Sequence, residues 1–135
     1  STAEALAEGL TAVRDRGVKL PLGICLDTAH RWGAGYDLSS AAAVRRWVNE
    51  FDRIVGLEQL HLIHFNDSSV ERGARRDKHE HIGCGLIPVK GLEAVARHPR
   101  LLPVAMIMET PGSTEPSDRQ RLDDLRVLAG LKPGV

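Results

Sequence analysis

Three short apolar runs, each turning polar at its C-terminal end, constrain this chain more than any other feature. They are LGICLDTAH (residues 22–30), LHLIHFND (60–67) and VAMIMETPG (104–112). Runs this short, bounded by turn-forming residues, read as buried strands rather than helices. The stretches between them carry a helical period. AEALAEGLTAVRDRG places Leu6, Leu10 and Val13 at helical spacing and stops at Gly17. AAAVRRWVNEFDRIVG sets Val44, Trp47, Val48, Phe51, Ile54 and Val55 on one face and closes at Gly56. VKGLEAVARH is a weaker helix, and Ser117 with Gln120 forms a capping box for a helix over 118–129. RWGAGYDLSS reads as a glycine-containing loop. The order is helix, then strand–helix three times, which predicts parallel strands joined by crossover helices. No internal repeat, low-complexity segment or linker interrupts it.

The polar strand ends are the chemically interesting part. They carry Asp27 and His30, then His64 with Asn66 and Asp67, then Glu109. In parallel α/β folds, sites collect where C-terminal strand ends and the following loops converge. Alternation along a strand predicts that Cys25 and Asp27 share a face, that Leu60, Leu62 and His64 share one, and that Ala105, Ile107 and Glu109 do. A barrel interior, apolar below and ligand-bearing at its rim, satisfies all three. Asn66 and Asp67 read as turn formers after the second strand. Cys25, inside an apolar run, reads as a core residue.

The stretch RRDKHEHIG (75–83) is too polar for a buried element. Asp77 and His79 lie two apart, so an extended loop can aim both at one point. Imidazole and carboxylate ligands without thiolate suit Zn²⁺ or Mn²⁺ and some iron sites. The set exceeds what one tetrahedral ion needs, and so predicts a multinuclear site of the kind used in phosphoryl displacement. Among the other polar residues, His81 and Glu80 read as loop-bracing groups and His61 and His98 as structural or exposed. Trp32 and Tyr36 fit either loop packing or a ligand groove.

Composition adds exclusions. Eighteen basic and eighteen acidic residues cancel, so no global field draws the chain to nucleic acid or membrane. No apolar run approaches the ~20 residues of a membrane span. The opening STAEALAEGL has no secretion signal and no initiator methionine, which predicts a chain beginning mid-protein. Cys25 and Cys84 lack C-x-x-C spacing, which predicts a reducing, cytoplasmic setting without disulfides.

Four segments, GICLDTAHRWGAGYDL, HLIHFNDS, GARRDKHEHIGCGLI and MIMETPG, resemble in order and spacing the C-terminal part of the endonuclease IV family, the apurinic/apyrimidinic endonucleases. The resemblance covers most of residues 18–112; Ala74, Lys78 and Pro88 depart from the usual serine, arginine and glycine. It implies a TIM barrel with three zinc ions, Mn²⁺ being a substitute. Asp27, His64 and Glu109 would share one ion, and His30, Asp77 and His79 another. Glu109 would also be catalytic, orienting the nucleophile. Arg72, Arg75, Arg76 and Lys78 would hold DNA phosphates. Two histidines and a bridging glutamate of the family have no counterpart here. Because a complete barrel has eight strands and ~250 residues, residues 1–135 are expected to form a partial TIM-barrel domain: the last three strand–helix units of an incomplete barrel within a longer chain, inactive alone.

The implied reaction is hydrolysis of the phosphodiester 5′ to an abasic site in double-stranded DNA, leaving a 3′-hydroxyl, by a full-length monomer. Two alternatives remain open. A metal-dependent sugar isomerase or epimerase would use a related barrel, and a non-catalytic module would only bind metal. The basic loop favours the nuclease, since a neutral sugar has no use for such a cluster.

Overall fold

The computed structural model describes residues 2–109 together with Pro111, Asp123 and Gly130. Its elements are α1 (Ala3–Asp15), β1 (Ile24–Asp27), α2 (Thr28–Gly33), α3 (Ala41–Ile54), β2 (Leu60–His64), β3 (Asp67–Ser68), β4 (His79–Glu80), α4 (Val89–Arg97) and β5 (Ala105–Ile107). The expected helix over 118–129 lies outside the described residues, apart from Asp123. Thr2 caps α1 by accepting from the Ala5 N–H at 3.1 Å, and Ser40 caps α3 by accepting from Ala43 at 3.1 Å.

The strands form a parallel sheet in the order β1–β2–β5. Its three strands do not close into a barrel among the described residues. Register sets Asp27 beside His64 and His64 beside Ile107, so the polar strand ends lie level with one another. One face of the sheet is covered. Leu26, Ile63 and Phe65 are fully or almost fully buried there with Val44, Val48 and Phe51 of α3 and Leu92 and Val95 of α4. Each such side chain contributes ~1.5–3 kcal/mol by leaving water. No helix among the described residues is long and apolar enough to cross a membrane.

Three expectations change, and for Trp32 one of two open alternatives is found. Cys25 is exposed, not core: it shares the face of Asp27, which no described element covers. Leu60 leaves the face of Leu62 and His64. The register slips between Ile24 and Cys25, so Leu60 pairs with Ile24 and joins the buried cluster, while Leu62 pairs with Cys25. The stretch after β1 is not all loop, because the Asp27 carboxylate accepts from the His30 N–H at 3.1 Å and starts α2 within it. Finally, Trp32 is packed, with its indole N–H donating to the Val70 carbonyl at 3.1 Å, so it cannot line an open groove.

Candidate metal centre

The site is assembled by the ends of β1, β2 and β5 and by one returning loop. After β2 the chain makes a two-residue strand, β3, and leaves for the surface. It returns as β4 in antiparallel pairing, Ser68 opposite His79, with the Ser69 N–H donating to the Lys78 carbonyl at 3.0 Å. This pairing brings His79 back beside the end of the strand that carries His64. Asp77 comes with it.

The loop is held from below by Asp67, whose side chain is wholly buried. Its Oδ1 accepts from the Ser68 and Ile87 N–H groups at 2.8 and 3.1 Å, and its Oδ2 from those of Gly83 and Gly85, each at 3.0 Å. Burial pushes this carboxyl above its usual range, against the opposing pull of the four N–H donors. A Cβ on Gly85 would lie 2.4 Å from Asp67 Oδ1, so only glycine admits this approach. On the other side Gly33 receives the Arg76 carbonyl 2.2 Å from where a Cβ would stand, which seats the basic loop on α2.

Six side chains meet at the rim. Asp27 Oδ2 lies 3.8 Å from His64 Nδ1 and 3.2 Å from His79 Nε2. Glu109 Oε1 closes on His64 Nδ1. Asp77 faces His79 Nε2 at 3.2 Å through one oxygen and His30 Nδ1 at 3.6 Å through the other. The geometry thus brings together Asp27, His64 and Glu109, and likewise His30, Asp77 and His79, and joins the two groups through Asp27. Ligand atoms of Asp27, Asp77 and His79 all lie within 4.8 Å of one another. This tightest group takes one member from the first set and two from the second.

The local charge favours a cation. Burial lowers the His79 pKa, but the bond to the Glu109 carbonyl and the carboxylates of Asp27, Asp77 and Glu109 outweigh it and hold the imidazole above its ordinary value. His79 Nδ1 lies 2.8 Å from the Glu109 carbonyl oxygen. A carbonyl only accepts, so Nδ1 carries a proton, and Nε2 is the ring nitrogen turned toward Asp27 and Asp77. Burial and the nearby Asp27 carboxylate also raise the Cys25 thiol. A divalent cation answers the same charge imbalance, and the oxygen and nitrogen donors fit one.

The basic residues are exposed and differ in their surroundings. Arg72 pairs with Asp37 at 3.4 Å. Arg75, at a left-handed φ of 57°, donates its N–H to the Gly33 carbonyl at 2.8 Å. Arg75 and Arg76 line an open cleft of ≈ 380 Å³ with His30, Gly33, Ala34 and Asp77. Lys78 ends the returning loop, just before β4. Glu80 braces it, accepting from the His81 N–H at 2.8 Å.

Sequence reasoning passed over two participants. Asn66 is wholly buried between strand ends, donating from Nδ2 to Asp27 Oδ2 at 3.0 Å and accepting at Oδ1 from the Glu109 N–H at 2.7 Å. Thr28 braces it, accepting from the Asn66 N–H at 2.8 Å and donating to its carbonyl at 2.6 Å. The one hint in the sequence was that each follows a strand-end ligand closely, a position that ordinary turns also fill.

Parallel strands, helices on one face and a histidine–carboxylate rim define part of an α/β barrel with a candidate metal site, and comparison gives it a family. The profile described as Xylose isomerase-like TIM barrel matches residues 2–131, and the chain belongs to that family. Within it, the endonuclease IV resemblance read from the four motifs holds. "Probable endonuclease 4" of Solibacter usitatus is 38% identical over 128 residues, 93% of this chain and 44% of that protein. The protein of the same name from Haloquadratum walsbyi is 42% identical over 108 residues, 80% of this chain and 39% of its own length. The crystal structure of endonuclease IV from Thermus thermophilus matches with a TM-score of 0.79 at 34% identity, covering 95% of this chain and 44% of that one. The chain therefore spans less than half the length of these relatives.

Proposed function

We propose that the intact protein to which this chain contributes is a DNA-repair endonuclease that hydrolyses the phosphodiester 5′ to an abasic site in duplex DNA, leaving a 3′-hydroxyl. In this reading residues 1–135 are a partial barrel domain of a longer, monomeric, cytoplasmic protein. The observation that carries it is the convergence of Asp27, His30, His64, Asp77, His79 and Glu109, from separate segments, on one rim beside a basic cleft.

Asp27, His64 and Glu109 would hold one ion and His30, Asp77 and His79 a second, Zn²⁺ being the best match to the donors and Mn²⁺ a substitute. Bound there, divalent ions neutralise phosphate oxygens and bring the pKa of water toward neutrality. The chain's own groups do the rest. Glu109 stands at the open side of the cluster, where its carboxylate can orient an attacking water and accept its proton. Arg75 and Arg76, on the cleft wall, hold the phosphates flanking the lesion, with Lys78 and Arg72 further along the same loop. An abasic nucleotide has no base to unpair, so swinging it toward such a rim costs less than extruding a normal one.

The test uses the intact protein, a duplex with a single abasic site, and EDTA. Expected are incision only when metal is present and a nicked strand that a polymerase extends directly from its 3′ end. Metal-replete protein that leaves the duplex whole, or that instead interconverts ketoses, overturns the proposal.

A further inference from the structure

Asn66 bonds at once to the ends of both neighbouring strands, and the direction of each bond is fixed by chemistry. Its Oδ1 receives the Glu109 N–H, so Nδ2 must face Asp27. That bond occupies one lone pair of Asp27 Oδ2, the oxygen nearest His79 Nε2 and His64 Nδ1, while the His30 N–H occupies Oδ1. The carboxylate is thereby held from both ends with its remaining lone pairs turned inward. The other arm works through the backbone. By holding the Glu109 N–H, Asn66 anchors the residue whose own carbonyl, in the next peptide unit, accepts from His79 Nδ1 and so turns Nε2 toward the site.

We propose that Asn66 is the positioning residue of the cluster: one buried amide that sets the orientation of Asp27 and the position of Glu109, the residue whose carbonyl in turn orients His79. The role rests on the metal-centre reading above. It also accounts for an amide at this place. An aspartate of the same shape would keep the acceptor for Glu109 but set a second carboxylate oxygen against Asp27 Oδ2, with no water to screen the repulsion. A serine is too short to reach both partners.

The test compares wild-type intact protein with N66D, and with N66S should the added charge prevent folding. Zn²⁺ affinity is measured by competition with a chromophoric chelator, and the visible spectrum is recorded with Co²⁺ in place of zinc. Expected are a ~10–100-fold loss of affinity, the range for residues that orient metal ligands, and an altered Co²⁺ spectrum in protein whose circular dichroism is unchanged. T28V, which loosens the backbone brace but leaves both amide bonds, should lower the melting temperature and leave the Co²⁺ spectrum as in wild type. Equal affinity and spectrum in wild type and both Asn66 variants overturns the role of Asn66 alone. Wild-type protein that takes up no divalent ion overturns the metal centre and this role together.

Discussion

The two faces of the sheet are made by the same strands and obey different rules. On the helix-covered face, Leu26, Ile63 and Phe65 are sealed against α3 and α4, and nothing polar interrupts them. On the other face, the residues in between are Cys25, Asp27, Leu62, His64, Ala105 and Ile107; they stay partly or fully exposed and lead up to the ligand rim. A strand separates the two jobs because its side chains alternate. Stability is concentrated where side chains lose water, and chemistry where carboxylates and imidazoles keep access to it.

That contrast can be tested from its strongest side downward. Phe65→Ala should destabilise the fold by ~3–5 kcal/mol, the usual cost of emptying a sealed aromatic site. Urea unfolding would read it, and a cost below ~1 kcal/mol would mean that the covered face is not the stabilising one. Asp67→Asn comes next. The amide nitrogen would confront the Gly83 and Gly85 N–H groups, at ~1–3 kcal/mol for each donor left without an acceptor. Faster amide exchange along residues 78–87 should accompany the loss.

On the open face, Ile107→Ser should change the stability of the 135-residue chain by no more than ~0.5 kcal/mol, because the side chain is already 47% exposed. The same substitution in a longer protein whose added strands cover this face should cost several times as much, which would locate the missing half of the core. The smallest effect is a pH slope at the end of α4. Burial, then the charges of Arg100 and Arg45, hold the His98 pKa below its ordinary value, and its Nδ1 accepts from the Arg100 N–H at 3.2 Å. The unfolded chain therefore binds the proton first, so stability falls as pH drops from ~6.5 toward the folded pKa. His98→Asn should flatten that part of the profile, and an unchanged slope would remove His98 as its source.

Much of this was legible in the chain. The three apolar runs announced strands, the helical stretches announced α1, α3 and α4, and alternation aligned Asp27 with Cys25 and Glu109 with Ile107. Cys25 went wrong because hydrophobicity says that a residue wants cover, and cannot say whether a covering element is present. Leu60 went wrong because a one-residue slip in pairing reverses a face, and pairing is a relation between strands. Asn66 was hidden because an amide after a strand looks the same whether it turns the chain or ties three strand ends together.

By itself, then, the sequence determined which side chains could serve as ligands, which segments would be strands, and on which side of each strand most residues would fall, since all of these follow from local periodicity and side-chain chemistry. Only the tertiary structure decided that the Asp27–His64–Glu109 and His30–Asp77–His79 groups meet through one oxygen of Asp27, and that Asp67 and Asn66 hold them there. The Asn66–Glu109 bond alone spans 43 residues of chain. These contacts exist because the β1–β2–β5 register and the Ser68–His79 pairing bring the ends to one level, and hydrogen bonds of ~3 Å discriminate among arrangements that local pattern leaves equal.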